Sequence, residues 1–282
     1  MRGYRPKQAH QLSVERRLSK SQPRIATTHW KRVEHLLRDD WSPEQISLWL
    51  NDEADIQISH EWIYQYILQN KSMGGNLYHH LHFRKQRRKR YGSYSCQGQL
   101  INRVSIDERP AVVDDRSRLG DLELDTIIGK GHKKAIVSII ERKSRLTLIH
   151  KMERKTASNV TSATLKLLKP IAGHVHTLTS DNGKEFAGYE TIAKSLSARF
   201  FFAHPYASWE RGLNENTNGL IRQYFPKHRD FTTITQGEIN HVMDKLNNRP
   251  RKCLGIKNAQ SSIFWDQPTR YTSEFNPRII MG

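Results

Sequence analysis

Asp125, Asp181 and Glu215 are acids whose types and spacing could do chemistry on a phosphate, with 33 residues between the second and the third. One carboxylate at a strand end is ordinary and usually solvated or capping. Three from separate chain segments match what two Mg²⁺ ions about 3.5–4 Å apart require, because hard cations take oxygen ligands from several directions. One ion would lower the pKa of an attacking water or 3′-hydroxyl, and the other would stabilise charge on the leaving oxygen. The neighbours extend the pattern. In Asp181-Asn182-Gly183-Lys184-Glu185-Phe186, Gly183 is expected to let the backbone bend away from the metal and Lys184 to reach a phosphate. Around Glu215, Arg211 four residues before and Asn218 three residues after share a helix face, and with Arg222 they are expected to touch DNA beside the metals. Strand alternation puts Asp121 and Glu123 on the side of Asp125, although Asp121 reads better as a surface acid at the start of the strand.

The elements that must carry these residues can be read from patterning. Residues 122–129, 135–141 and 146–152 are short strand-like runs separated by basic turns. A helix follows over 158–168, with Val160, Ala163, Thr164 and Leu167 on one face. A strand is expected over 175–179, a helix over 189–196, a strand over 200–203 and a helix over 210–224. Ile239, Val242, Met243 and Leu246 then repeat at amphipathic helical spacing. Three strands followed by alternating helix and strand predict an α/β fold, a ribonuclease-H-like mixed sheet with flanking helices. Asp125 then lies in the first strand, Asp181 at the end of the fourth and Glu215 in the late helix.

Ahead of this domain the spacing predicts a small all-α helix-turn-helix module over residues 28–72. Trp30, Val33, Leu36 and Leu37 are at helical spacing, and Ser42 with Gln45 forms a capping box with Pro43 at the first helical position. Ser59 caps a third helix, on which Ile63, Tyr66 and Ile67 share a face. His60, Glu61, Tyr64 and Gln65 are the candidates to enter a major groove, and a plain three-helix packing unit is the alternative. Residues 1–27 read as a flexible basic arm. Residues 73–105 read as an exposed basic linker carrying Arg84, Lys85, Arg87, Arg88, Lys89 and Arg90, suited to following a phosphate backbone. The catalytic domain is expected over 106–268 and a tail over 269–282.

Composition agrees with a polyanionic partner. The 282 residues hold 46 Lys+Arg against 28 Asp+Glu, a net charge of +18, and residues 1–105 and 106–282 each carry +9. No run approaches the ~20 apolar residues of a membrane span and the N-terminus lacks a signal-peptide core, so a soluble intracellular protein is expected. Cys96 and Cys253 are too few for a disulfide framework. A zinc site from His79, His80, His82 and Cys96 fits no common ligand spacing and is less expected than a solvated loop.

These motifs resemble the insertion-sequence thirty family of bacterial DDE transposases, over a span from Tyr4-Arg5-Pro6 almost to Phe264. The most specific parts are the Asp181–Phe186 block, the 33-residue gap, the Asn214-Glu215-Asn216-Thr217-Asn218-Gly219-Leu220 helix running into Phe225-Pro226-Lys227, and the segment from Leu246 to Gly255. The resemblance implies that Asp125, Asp181 and Glu215 are catalytic and metal-binding, with two Mg²⁺ as cofactor and Mn²⁺ as a substitute. It implies double-stranded DNA partners, both terminal inverted repeats and target, and a bacterial cytoplasmic, nucleoid-associated setting. The family cleaves to free a 3′-hydroxyl and uses it to attack another phosphodiester, with no covalent protein intermediate. Joining two ends implies at least a dimer on DNA. Two departures stand out. Leu122-Glu123-Leu124-Asp125 replaces the usual Trp-Glu-Gly-Asp, which bears on packing. The chain opens at Met1-Arg2-Gly3-Tyr4, where family members usually carry a further helix-turn-helix region, so either a truncated start or a protein without that module is expected. A DNA-binding regulator with a silent site and a hydrolytic nuclease of ribonuclease H type are the competing readings.

Overall fold

A computed structural model describes residues 6–20, 25–82, 103–132, 134–205 and 207–259. It divides into two compact units, residues 1–81 and 82–282.

In the first unit, helix α1 spans Pro6–Lys20. The flexible arm expected there is corrected over this span, because the segment lacks apolar periodicity yet is rich in Gln, Leu, Glu, Arg and Lys, with Pro at its first position. Helices α2 (Thr27–Arg38), α3 (Pro43–Ala54) and α4 (His60–Ser72) follow. The Ser42 hydroxyl accepts from Gln45 N–H while the Gln45 side chain accepts from Ser42 N–H, and Ser59 caps α4 by accepting from Trp62 N–H. Val33, Leu37, Ile46, Leu50, Ile63 and Ile67 close a common core. The Trp30 and Tyr66 rings stack at 4.1 Å, and the Tyr66 hydroxyl donates to Glu34 at 2.6 Å. Burial, with that carboxylate as acceptor, pushes the Tyr66 phenol up to about 12.

The second unit is built on a five-stranded mixed sheet, with the short helix α5 (Ala111–Asp114) before it. Its strands are β1 (Asp121–Ile128), β2 (Ala135–Glu141), β3 (Thr147–Met152), β4 (Thr177–Ser180) and β5 (Arg199–Phe202), ordered β3-β2-β1-β4-β5. Strand β2 runs antiparallel to its neighbours β1 and β3, and β4 and β5 join parallel to β1, the ribonuclease-H-like arrangement that the element order predicts. Helix α6 (Ala157–Leu168) links β3 to β4, and α7 (Tyr189–Leu196) links β4 to β5. Helices α8 (Gly212–Tyr224) and α9 (Gln236–Asn247) follow.

Period-two alternation sorts β1 between two cores. Leu122 and Leu124 join Val137, Ile139 and the apolar faces of α6 and α7. Ile127 faces the other way, with Ile136, Ile149 and the residues of α8 and α9. Glu123 and Asp125 share that second face, so the strand itself turns them toward α8. Gly120 makes the entry to β1 possible: its φ is +96°, and a Cβ there would stand 1.9 Å from the His174 carbonyl oxygen. Among the described residues no helix is long and apolar enough to cross a membrane.

Candidate active site

Asp125 sits mid-strand in β1 opposite Ser138 of β2, and Asp181 is the first residue past β4. Because β1 and β4 are adjacent and parallel, the two side chains converge. Arg211, at the start of α8, bridges them, with Nη1 3.6 Å from an Asp125 carboxylate oxygen and Nη2 3.4 Å from one of Asp181. The Arg211 Nε and Nη1 are buried and form no hydrogen bond. Asp125 also accepts from Asn218 Nδ2 at 2.8 Å and from Thr126 N–H at 2.8 Å, and Asp181 accepts from Gly183 N–H at 3.0 Å. Burial pushes the Asp125 carboxyl above its ordinary range; the Arg211 cation opposes this and the Asp181 charge adds to it.

Glu215 is exposed on α8. It stands one turn before Asn218, the residue that donates to Asp125. Among the described residues no three His, Cys, Asp or Glu side chains converge as a ready metal cage. The structure therefore brings Asp125 and Asp181 together around Arg211 and does not bring Glu215 into a cluster with them.

Several expectations for the surrounding residues change. Asp121 is fully buried: Arg118 Nε and Nη2 donate to it at 2.9 and 3.0 Å, and Thr177 Oγ1 donates at 2.7 Å. The surface-acid reading is overturned, because its partners lie in the preceding turn and on β4, where local patterning does not show them. Gly183 has φ −65°, so no special backbone freedom is used. The nearest group a Cβ there would meet is the Glu185 carboxylate, the flexible end of a side chain. Arg211 and Asn218, expected on DNA, contact the aspartates in this structure. Arg222 donates to the Ile128 carbonyl at 2.8 Å and the Phe225 carbonyl at 3.4 Å, and burial lowers its pKa. Lys184 is exposed, as are His60, Glu61, Tyr64 and Gln65 on α4, where Trp62 and Leu68 are exposed too. Arg84, Lys85, Arg87, Arg88, Lys89, Arg90 and Cys96 lie outside the described residues. His80 pairs with Asp40 at 2.8 Å, so it is engaged away from any zinc cluster.

Residues missed from the sequence also ring the site. Arg103 donates to the Asn182 side chain beside Asp181, and Lys155 pairs with Glu185, which accepts from Thr126 Oγ1 at 3.2 Å. Neither basic residue belongs to a motif, and both reach the site from loops.

No family model matches the chain. Relatives do. The transposase for insertion sequence element IS4351 of Bacteroides fragilis is 47% identical over 226 residues, covering 80% of this chain and 69% of that protein. The transposase for IS1086 of Cupriavidus metallidurans is 38% identical over 235 residues, with the same coverages. Transposase InsI for IS30A of Escherichia coli is 36% identical over 249 residues, covering 83% of this chain and 63% of that protein. Among solved structures, the catalytic core domain of BIV integrase aligns with 51% of this chain and 93% of its own at 20% identity, with a TM-score of 0.42.

Proposed function

The chain belongs to the insertion-sequence thirty family of transposases, and from that premise we propose that it cleaves and joins DNA at Asp125, Asp181 and Glu215. The observation that carries this reading is the pairing of Asp125 and Asp181 across one cation, with Glu215 one turn from the residue that fixes Asp125. Hard carboxylate oxygens that already share a guanidinium fit a divalent ion. Mg²⁺, or Mn²⁺ in its place, would be held by these three side chains and would supply charge neutralisation and activation of a water or 3′-hydroxyl.

The chain's own residues do the rest. Asn218 Nδ2 and Thr126 N–H orient the two oxygens of Asp125, and Gly183 N–H orients Asp181. Arg211 keeps the two acids close despite their like charge, and its guanidinium must leave that position for both to face a metal ion. Lys184, exposed four residues after the β4 end, is placed to meet a phosphate. Phosphoryl transfer needs mainly such positioning and charge stabilisation.

Recognition falls to other parts of the chain. The helix-turn-helix unit presents His60, Glu61, Tyr64 and Gln65 for a major groove, and the basic run from Arg84 to Arg90 supplies phosphate contacts. The partners are the element's inverted repeats and a target duplex, engaged by at least two copies in the bacterial cytoplasm, at the nucleoid. The Arg211 bridge also suits a second reading, a silent DNA-binding regulator whose acids stay neutralised. Labelled inverted-repeat DNA incubated with the protein and Mg²⁺ separates the readings. Joined strands are expected; cleavage alone would indicate a nuclease, and a mobility shift without cleavage the regulator.

A further inference from the structure

Close to the carboxylates lies an ionic chain that the proposed chemistry does not use; the side chains of Glu123, Arg142 and Arg109 in it are buried, and the Asp114 that joins the two arginines is exposed. Glu123 of β1 is 1% exposed, and one of its oxygens accepts from Arg142 Nη1. Arg142, 4% exposed in the turn after β2, also donates to the Val113 carbonyl at 3.0 Å and to Asp114 at 3.3 Å. Asp114 in turn pairs with Arg109, which donates to Thr179 Oγ1 of β4 at 3.2 Å. The second Glu123 oxygen accepts from Asn214 N–H at 3.1 Å, in the first turn of α8.

That last bond is unusual in its source. The first N–H groups of a helix have no partner within it and are normally met by a side chain at the cap. Arg211 at the cap of α8 makes no such bond. A carboxylate from the sheet takes that place and also favours the positive helix end.

The three ends of the chain have something in common. Glu123 is two residues before Asp125 on the same strand face. Thr179 is two residues before Asp181. Asn214 is the residue before Glu215. One network thus touches the backbone segment of every acid in the proposed site, on three separate elements.

We infer that Glu123 is a positioning residue, which with Arg142 and Arg109 sets the mutual placement of Asp125, Asp181 and Glu215 and so their affinity for a divalent ion. This rests on the reading of those three acids as the metal-binding set. Groups that orient metal ligands without touching the metal commonly change affinity by about 10–100-fold when removed. Deleting only one partner would strand a buried charge and destabilise the fold. The test therefore removes the pair together.

The full-length chain is titrated with Mg²⁺ alone by calorimetry, with thermal unfolding measured in parallel. The double variant E123M/R142M is expected to fold but to bind Mg²⁺ about 10–100-fold more weakly. E123Q/R142M keeps an oxygen for Asn214 N–H and is expected to regain most of that loss. Thr179→Val, which removes no charge, is the second variant for the β4 arm and is expected to weaken binding several-fold at unchanged unfolding temperature. Mg²⁺ affinity at the parent value in both E123M/R142M and Thr179→Val would overturn the inference, as would no recovery in E123Q/R142M. Should E123M/R142M fail to fold, Thr179→Val decides, with parent affinity counting against the inference. Asp125→Asn separates the inference from its premise: if that variant binds Mg²⁺ as tightly as the parent, the reading of the acids has failed and not the role of Glu123.

Discussion

Arg211 is the residue whose position says most about the site, because it satisfies two like charges that would otherwise repel across the β1–β4 seam. Arg211→Ala should lower the unfolding temperature of the metal-free protein, and Mg²⁺ should raise it by more than in the parent. Differential scanning fluorimetry with and without Mg²⁺ measures this, and equal Mg²⁺ shifts in the two proteins would contradict it. His204 offers a pH test in the loop leading to α8. Its ring nitrogens face Glu210 at 2.7 Å and Asp107 at 3.0 Å, and Glu210 first, then Asp107, raises its pKa. A raised histidine pKa stabilises the fold fully below the unfolded value of about 6.5, and the gain is lost as pH rises through the folded value. The unfolding temperature should therefore fall more steeply above about pH 6.5 in the parent than in His204→Gln. The placement of Asp125 in a strand, Asp181 past a strand end and Glu215 on a helix could be read from the sequence because strand ends and helix faces are local patterns. The roles of Asp121, Arg211 and Asn218 could not, since each is decided by a partner on another element.

Among the elements, α3 was readable because its signals are local: Ser42, Pro43 and Gln45 specify a helix start within four residues. Ser42→Ala should cost about 1 kcal/mol, read from denaturant unfolding of the chain, and no loss would mean that the capping box carries no weight. Helix α1 escaped for the opposite reason, as its helicity comes from intrinsic propensity without an apolar stripe. The β1 alternation was equally legible, and it explains why leucines at 122 and 124 are tolerated beside Glu123 and Asp125. They point into the α6/α7 core, away from the acids. What alternation could not show is that Glu123 and Asp125 have different tasks on the same face, one tying down α8 and the other facing the cation.

For the molecule as a whole, the net charge of +18 pointed only to some polyanion. The structure adds a contrast. Asp121 and Glu123 of the second unit are buried and paired, whereas Glu215, Lys184 and α4 side chains such as Tyr64 are exposed. If phosphate contacts supply most of the affinity, binding to a random duplex should weaken steeply between about 50 and 200 mM salt, by roughly 10³-fold or more for six or more contacts. Fluorescence anisotropy reads this directly, and a flat salt response would argue against a backbone-tracking surface.

The most direct test of the central claim is strand transfer by acid-to-amide variants on labelled inverted-repeat DNA with Mg²⁺, with DNA affinity measured on the same preparations. Asp125→Asn, Asp181→Asn and Glu215→Gln should each bind DNA like the parent while joined product falls by about 10³-fold or more, the loss expected when charge stabilisation at the reacting phosphate is removed. Full strand transfer by Asp181→Asn and Glu215→Gln would contradict the assignment of the site.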